Sequence, residues 1–367
     1  MLPEAWSIKT KAPVSCLTLT EGSGWLVAAV GFKNPTISCW SLDTRRLLWD
    51  LKIPKGFVGS RSVDYTGYGN HVLVSNSNGI VYATCGGKIG NAWSNLLFFS
   101  TGGDIRKKHF LKEKVLNIGI IEHKVFVLTR DAYLNVFDLE GNSLWSFFLP
   151  RSPDTPYEYA FLLGPRENRL GFVRGSKYLA FDPDGNILCE WTFPFSKKLV
   201  GYTFDEKETA EEFVMVRQIF MAGDLLPGGG TLLQSKDGNF FQLNPKGECS
   251  EMGEGPRAQS LMVLKDKQYC FSNGINLFFA EGAQVLKSHK LKPAVHSSVY
   301  ASSPDLLFTW GGYDPLGSHI TAFRSSGEIV WSAERLEHLR CGAVENNGLI
   351  LAIGNRIAFL PYLEFNR

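Results

Sequence analysis

Apolar residues in this chain come in runs of five to seven, rich in Val, Ile, Leu, Phe, Tyr and Trp. Polar or glycine-bearing turns break them at short intervals. Runs of that length and composition predict β-strands, and helical periodicity is nearly absent. The best helical candidate is the short polar stretch 205–214. One phrase recurs: an apolar strand, a turn with Gly or Asp, then a strand carrying tryptophan. Its copies fall at 37–54, 79–99, 133–150, 177–194 and 319–332, with copies lacking tryptophan at 239–252 and 275–288. Gly141, Gly185, Gly247, Gly282 and Gly327 stand where a tight hairpin needs positive φ.

The tryptophans set the period. Trp6, Trp49, Trp93, Trp145, Trp191 and Trp331 are spaced as outer-strand markers of a unit of about 46 residues, the size of one four-stranded propeller blade. Trp6 reads as an outer strand with no blade before it. The last segment, from 340 to 361, offers three strands with no fourth. The pattern therefore predicts an all-β propeller of eight four-stranded blades, closed by the N-terminal strand completing the C-terminal blade. The expected blades are 14–55, 61–100, 115–150, 157–195, 200–253, 258–290, 296–334, and 340–361 plus 4–11, forming one domain over 1–367. Seven blades is the alternative, if 258–290 is not a full unit.

The hairpins Phe137-Asp138-Leu139-Glu140-Gly141-Asn142-Ser143-Leu144-Trp145 and Phe181-Asp182-Pro183-Asp184-Gly185 resemble the repeat of the pyrroloquinoline-quinone-type propellers. Ile37-Ser38-Cys39-Trp40-Ser41-Leu42-Asp43 looks more loosely like a WD-repeat strand. The resemblance spans essentially the whole chain. It implies eight blades, with outer-strand tryptophans docked between neighbours. The quinoprotein enzymes of that superfamily use adjacent cysteines and calcium, and this chain has no vicinal cysteine pair. The resemblance thus carries scaffold residues and no catalytic ones.

Composition narrows the chemistry. Among 367 residues, 38 Lys and Arg face 36 Asp and Glu, a net charge of +2, which weighs against a protein built to coat nucleic acid or an acidic membrane. The first residues lack a basic, then apolar, secretory leader, and no apolar run reaches membrane-spanning length. The seven cysteines (16, 39, 85, 189, 249, 270 and 341) form no CxxC. They read as reduced core thiols of a cytoplasmic protein. The seven histidines show no HxH or HExxH spacing, and there is no Gly-x-Ser-x-Gly or phosphate loop. No cofactor, metal or catalytic residue is expected.

The remaining candidates are surfaces. Arg106, Lys107, Lys108 and His109, with Lys112, read as a basic inter-blade connection, expected to share a face with Tyr313 and Asp314. Within the insertion 203–230, Leu225 and Leu226 before Pro227 and three glycines read as an exposed apolar tip, or as part of an extra strand pair. The functional expectation is a non-catalytic scaffold presenting one loop face to protein partners in a larger assembly. Two alternatives remain: nucleic-acid or anionic-ligand binding through the basic rim, and an enzyme or sensor holding a ligand in the central channel.

Overall fold

A computed structural model describes residues 4–20, 22–31, 35–53, 71–86, 93–150, 160–193, 195–205, 208–217, 219–265, 268–282, 284–291, 295–311, 318–336 and 339–362. Eight four-stranded antiparallel sheets follow one another in a ring, a β-propeller. They span 14–52, 71–111, 115–148, 160–192, 220–254, 260–290, 295–336, and 339–361 joined by Trp6–Lys9. The unit at 260–290 is a full blade of four strands. Among the described residues the one helical element is a 3-10 turn, Pro227–Gly229.

Burial explains the strand patterns. Second strands such as Trp25–Val30 and Arg169–Arg174 are buried along nearly their whole length between neighbouring blades, so they are continuously apolar. Outer strands such as Leu47–Lys52 and Ser143–Phe148 alternate exposed and half-buried positions, because one edge and one face meet solvent. Buried side chains gather into eight clusters, one at each seam between adjacent blades. A blade cannot bury both faces alone, and its neighbours supply the missing core.

The ends meet as the pattern predicts. Trp6 pairs with Phe359, and their rings stack at 5.3 Å and 10°. Glu4 binds Arg356 at 2.6 Å, and Arg45 of the first blade lies 5.6 Å over the Trp6 ring.

Two sequence expectations need correcting. The second blade does not end at 100. Its strands are His71–Ser75, Ile80–Gly86, Trp93–Phe99 and Ile105–Leu111, and 61–70 lies outside the described residues. Trp93 therefore sits in the third strand. The Ser100 hydroxyl accepts the Asp104 amide at 3.0 Å to close a turn at 100–104, and the basic run forms the outer strand beyond it. Where it is described, the stretch 205–214 is strand, not helix. Phe195–Asp205 and Glu208–Arg217 make a separate two-stranded sheet in the connection between the fourth and fifth blades. The fifth blade proper begins at Phe220.

Antiparallel order fixes the two faces of the ring. Connections from first to second and from third to fourth strands lie on one face, here the lower. Connections from second to third strands and from blade to blade lie on the upper face.

Candidate interaction surfaces

Five of the eight seams are pinned by a side chain of one outer strand packed under the third-to-fourth hairpin of the next blade. The docking residue comes just after a bulge and is Trp49, Lys107, Trp145, Cys189 or Lys287, and Trp331 holds the same post-bulge place in the seventh blade. The receiving hairpins carry glycine for lack of room. A methyl group on Gly103 would sit 2.8 Å from the Trp49 ring, and one on Gly185 would sit 2.7 Å from Trp145. Trp49 Nε1 also donates to the Thr101 carbonyl at 2.9 Å. Trp191 is not the equivalent of these tryptophans. It lies two residues beyond Cys189, which packs against Gly247.

In the second blade the basic run takes the tryptophan's place. Lys107 packs its Cβ under Gly141 and donates from Nζ to Asn142 Oδ1 at 2.8 Å. Arg106 pairs with Glu140 at 2.9 Å and donates to the carbonyls of Asn78 and Leu139. His109 donates from Nε2 to the Gly141 carbonyl at 2.7 Å and lies between the rings of Phe98 and Phe137. The run is thus an outer strand, not a connection, and three of its four residues are engaged with the third blade. The turn at 100–104 opens on the lower face, and the shared face expected with Tyr313 and Asp314 falls on residues outside the described ones.

Lys108, Phe110 and Lys112 remain solvent-exposed; Phe110 is 63% exposed, the most exposed large apolar side chain among the described residues. Its ring stands 6.0 Å from that of Trp93 on the neighbouring strand. The surface left at this rim is two lysines around an aromatic pair.

The apolar tip expected at 225–226 is also corrected. Leu225 is 2% exposed, in the core between the fourth and fifth blades, and Leu226 is half-buried against the next seam. The turn that follows is held from the fourth blade: Arg169 donates to the Gly229 carbonyl at 2.6 Å, and Glu167 accepts the Gly228 amide at 3.0 Å. Two leucines before a proline looked like a loop tip because the strand Phe220–Leu225 carries Gly223 and Asp224 at its end.

The central channel is lined by first strands. Asp224 lies in its wall, accepting the amides of Leu225 and Val263, each at 2.8 Å. Burial pushes its carboxyl above the ordinary value, against those hydrogen bonds and the nearby Arg166. Burial likewise pushes the thiols of Cys16, Cys39 and Cys270 up to about 12, which suppresses the thiolate a nucleophile needs. Among the described residues no three His, Cys, Asp or Glu are placed to share a metal ion.

No protein-family model matches the chain, and no curated protein matches it. Solved structures do. BamB from Moraxella catarrhalis superposes with a TM-score of 0.64 at 14% identity, covering 98% of this chain and 100% of that one. Saccharomyces cerevisiae Sqt1 gives 0.64 at 12% identity, over 98% and 99%. The C-terminal WD40 domain of Sif2 gives 0.62 at 10% identity, over 98% of both. The structural neighbours are β-propellers of the WD40 and BamB kind. At these identities the likeness shows the fold alone.

Proposed function

We propose that this propeller is a non-catalytic, cytoplasmic protein-interaction module of the pyrroloquinoline-quinone-type repeat, holding an acidic protein partner at the outer edge of its second blade. The observation that carries this is the rim of Lys108, Phe110 and Lys112 beside Trp93: an exposed aromatic pair between cations, on a strand fixed by its own seam. A rigid platform loses little conformational entropy on binding, and aromatic side chains supply contact area at low entropic cost. Trp49 on Gly103 and Trp145 on Gly185 support the repeat type. The suppressed thiols support a non-catalytic role. Arg106 and Lys107 are engaged with Glu140 and Asn142, which weakens the case for a nucleic-acid backbone as partner.

The test is affinity purification of the tagged protein from its host beside the triple variant Lys108→Glu, Phe110→Ala, Lys112→Glu. The expected result is loss of an acidic partner at unchanged melting temperature. Retention of every partner by the triple variant overturns the assignment of this edge.

A further inference from the structure

On the lower face a recess of about 710 Å³ opens at the mouth of the channel, bounded by the first, seventh and eighth blades. Its walls combine Trp25 and Tyr300 with the apolar Leu19 and Val344 and the hydroxyl of Ser302. Among the described residues lining it, Glu345 is the one that carries a charge.

Each wall is fixed. The Tyr300 hydroxyl donates to Asp305 Oδ1 at 2.7 Å, and Asp305 in turn pairs with Lys265 at 2.9 Å and accepts from Ser325 at 3.0 Å. The charge of Asp305 is therefore balanced across the seam between the sixth and seventh blades, whereas Glu345 lines the recess. Glu345 Oε2 accepts the Asn347 amide at 3.1 Å, which holds the carboxylate in place. On the first blade Gly22, another residue of the lining, adopts φ +73°, with open space where its Cβ would stand.

We propose that this recess binds an alkylammonium group, its methylenes along Leu19 and Val344, its charge on Glu345 and beside Trp25 and Tyr300. A carboxylate in a recess lined in part by aromatic residues favours a cation over a neutral or anionic ligand. The carboxylate is less screened there than on open surface, and ring faces attract an ammonium. The source of the ammonium is either a lysine side chain of a protein or a free aliphatic amine. This site is distinct from the edge of the second blade and stands or falls apart from it.

The test is calorimetric titration of the full chain with n-pentylammonium and with a short acetylated peptide bearing one lysine. Pentanol and the norleucine peptide serve as neutral controls. The expected result is saturable binding of at least one cation and of neither control. Glu345→Gln should weaken that binding about tenfold, one charged contact's worth, and Ser302→Trp, at an exposed position, should block it. Melting temperatures should not change. Binding of the peptide alone assigns the site to a lysine side chain, and equal binding of the amine assigns it to a free ligand. The proposal is overturned if neither cation binds at millimolar concentration, if pentanol binds as tightly as pentylammonium, or if Glu345→Gln binds as well as the wild type.

Discussion

His109 Nε2 donates to the carbonyl of Gly141 at 2.7 Å across the seam between the second and third blades, its ring 4.9 Å from Phe137. His289 repeats the arrangement on the Gly327 carbonyl at 2.7 Å, its ring 5.1 Å from Phe323, between the sixth and seventh blades. In both cases a lysine two residues earlier fills the docking position. The two seams are four blades apart, on opposite sides of the ring. A Lys-x-His pair thus substitutes for tryptophan, with a hydrogen bond and a lysine stem replacing the indole.

His109→Ala should cost about 1–3 kcal/mol, through a lost hydrogen bond and an unfilled gap between Phe98 and Phe137. His289→Ala should cost a similar amount. Because the seams share no residue, the double variant should show the sum in urea denaturation. A marked shortfall would mean that the two seams are energetically coupled.

The glycines under the indoles make a paired comparison. Gly185 has φ +90° and a Trp145 ring atom 2.7 Å from its notional methyl group, whereas Gly228 has φ +76° and nothing within 4 Å. Gly228→Ala should cost only the backbone strain, about 1–2 kcal/mol. Gly185→Ala should cost clearly more, because the indole must move as well. Equal shifts in melting temperature would show that the docking contributes nothing.

The parts legible in the sequence were those where side-chain size carries the pattern. Trp49 and Trp145 mark outer strands because an indole fits under a hairpin glycine, and Trp331 holds the corresponding post-bulge position. Trp6 with the three C-terminal strands announced the closure. The second blade departs from the expected pattern where charge replaces size. Arg106 to His109 look like a loop because the half of each side chain that packs is aliphatic or hydrogen-bonded. Trp93 then drew the outer strand one position too early. Cys189 hid the fourth blade's docking position in the same way, since a thiol carries no periodic signal. At the candidate surface, Lys108 and Lys112 were legible as exposed cations. Phe110 was not, because nothing local distinguishes an outward-facing aromatic from a core one.

Leu225 allows a test that separates packing from binding. Its Cδ1 would lie 2.7 Å from a methyl group on Gly164 of the neighbouring blade, and it is 2% exposed. Leu225→Ala should cost about 2–5 kcal/mol, as for a buried leucine whose surroundings collapse only partly. Leu226→Ala, at a half-buried site, should cost less. Calorimetry of both variants checks the order. The reverse order would restore Leu225 to the surface.

The Lys265, Tyr300 and Ser325 contacts predict a pH effect at the seam between the sixth and seventh blades. Burial works to raise the Asp305 carboxyl, but hydrogen bonds from Lys265, Tyr300 and Ser325 prevail and hold it below the ordinary 3.8. A carboxyl with a lowered folded-state value stabilises the protein above 3.8. That contribution is lost as pH falls below 3.8 and through the lowered value. Asp305→Asn should therefore reduce stability at neutral pH and make little difference at the acid end. Melting curves from pH 7 down to 2.5 would show the two proteins converging, and parallel curves would exclude Asp305 as the cause.

The closure makes the most exposed prediction, since a strand of four residues, Trp6–Lys9, completes the eighth blade. Trp6 stacks on Phe359 at 5.3 Å and lies under Arg45 of the first blade, so one side chain joins its own blade to the next. Trp6→Ala removes that contact area and the aromatic pair, a loss of about 2–4 kcal/mol. It also loosens the strand covering the edge of Arg356–Pro361, leaving backbone groups open to pair with another molecule. Hydrogen exchange should then quicken first at the Arg356–Pro361 amides that face Trp6–Lys9, before the other blades respond, and concentrated samples should self-associate. If those amides keep their protection in the variant, the N-terminal strand is not what holds the ring shut.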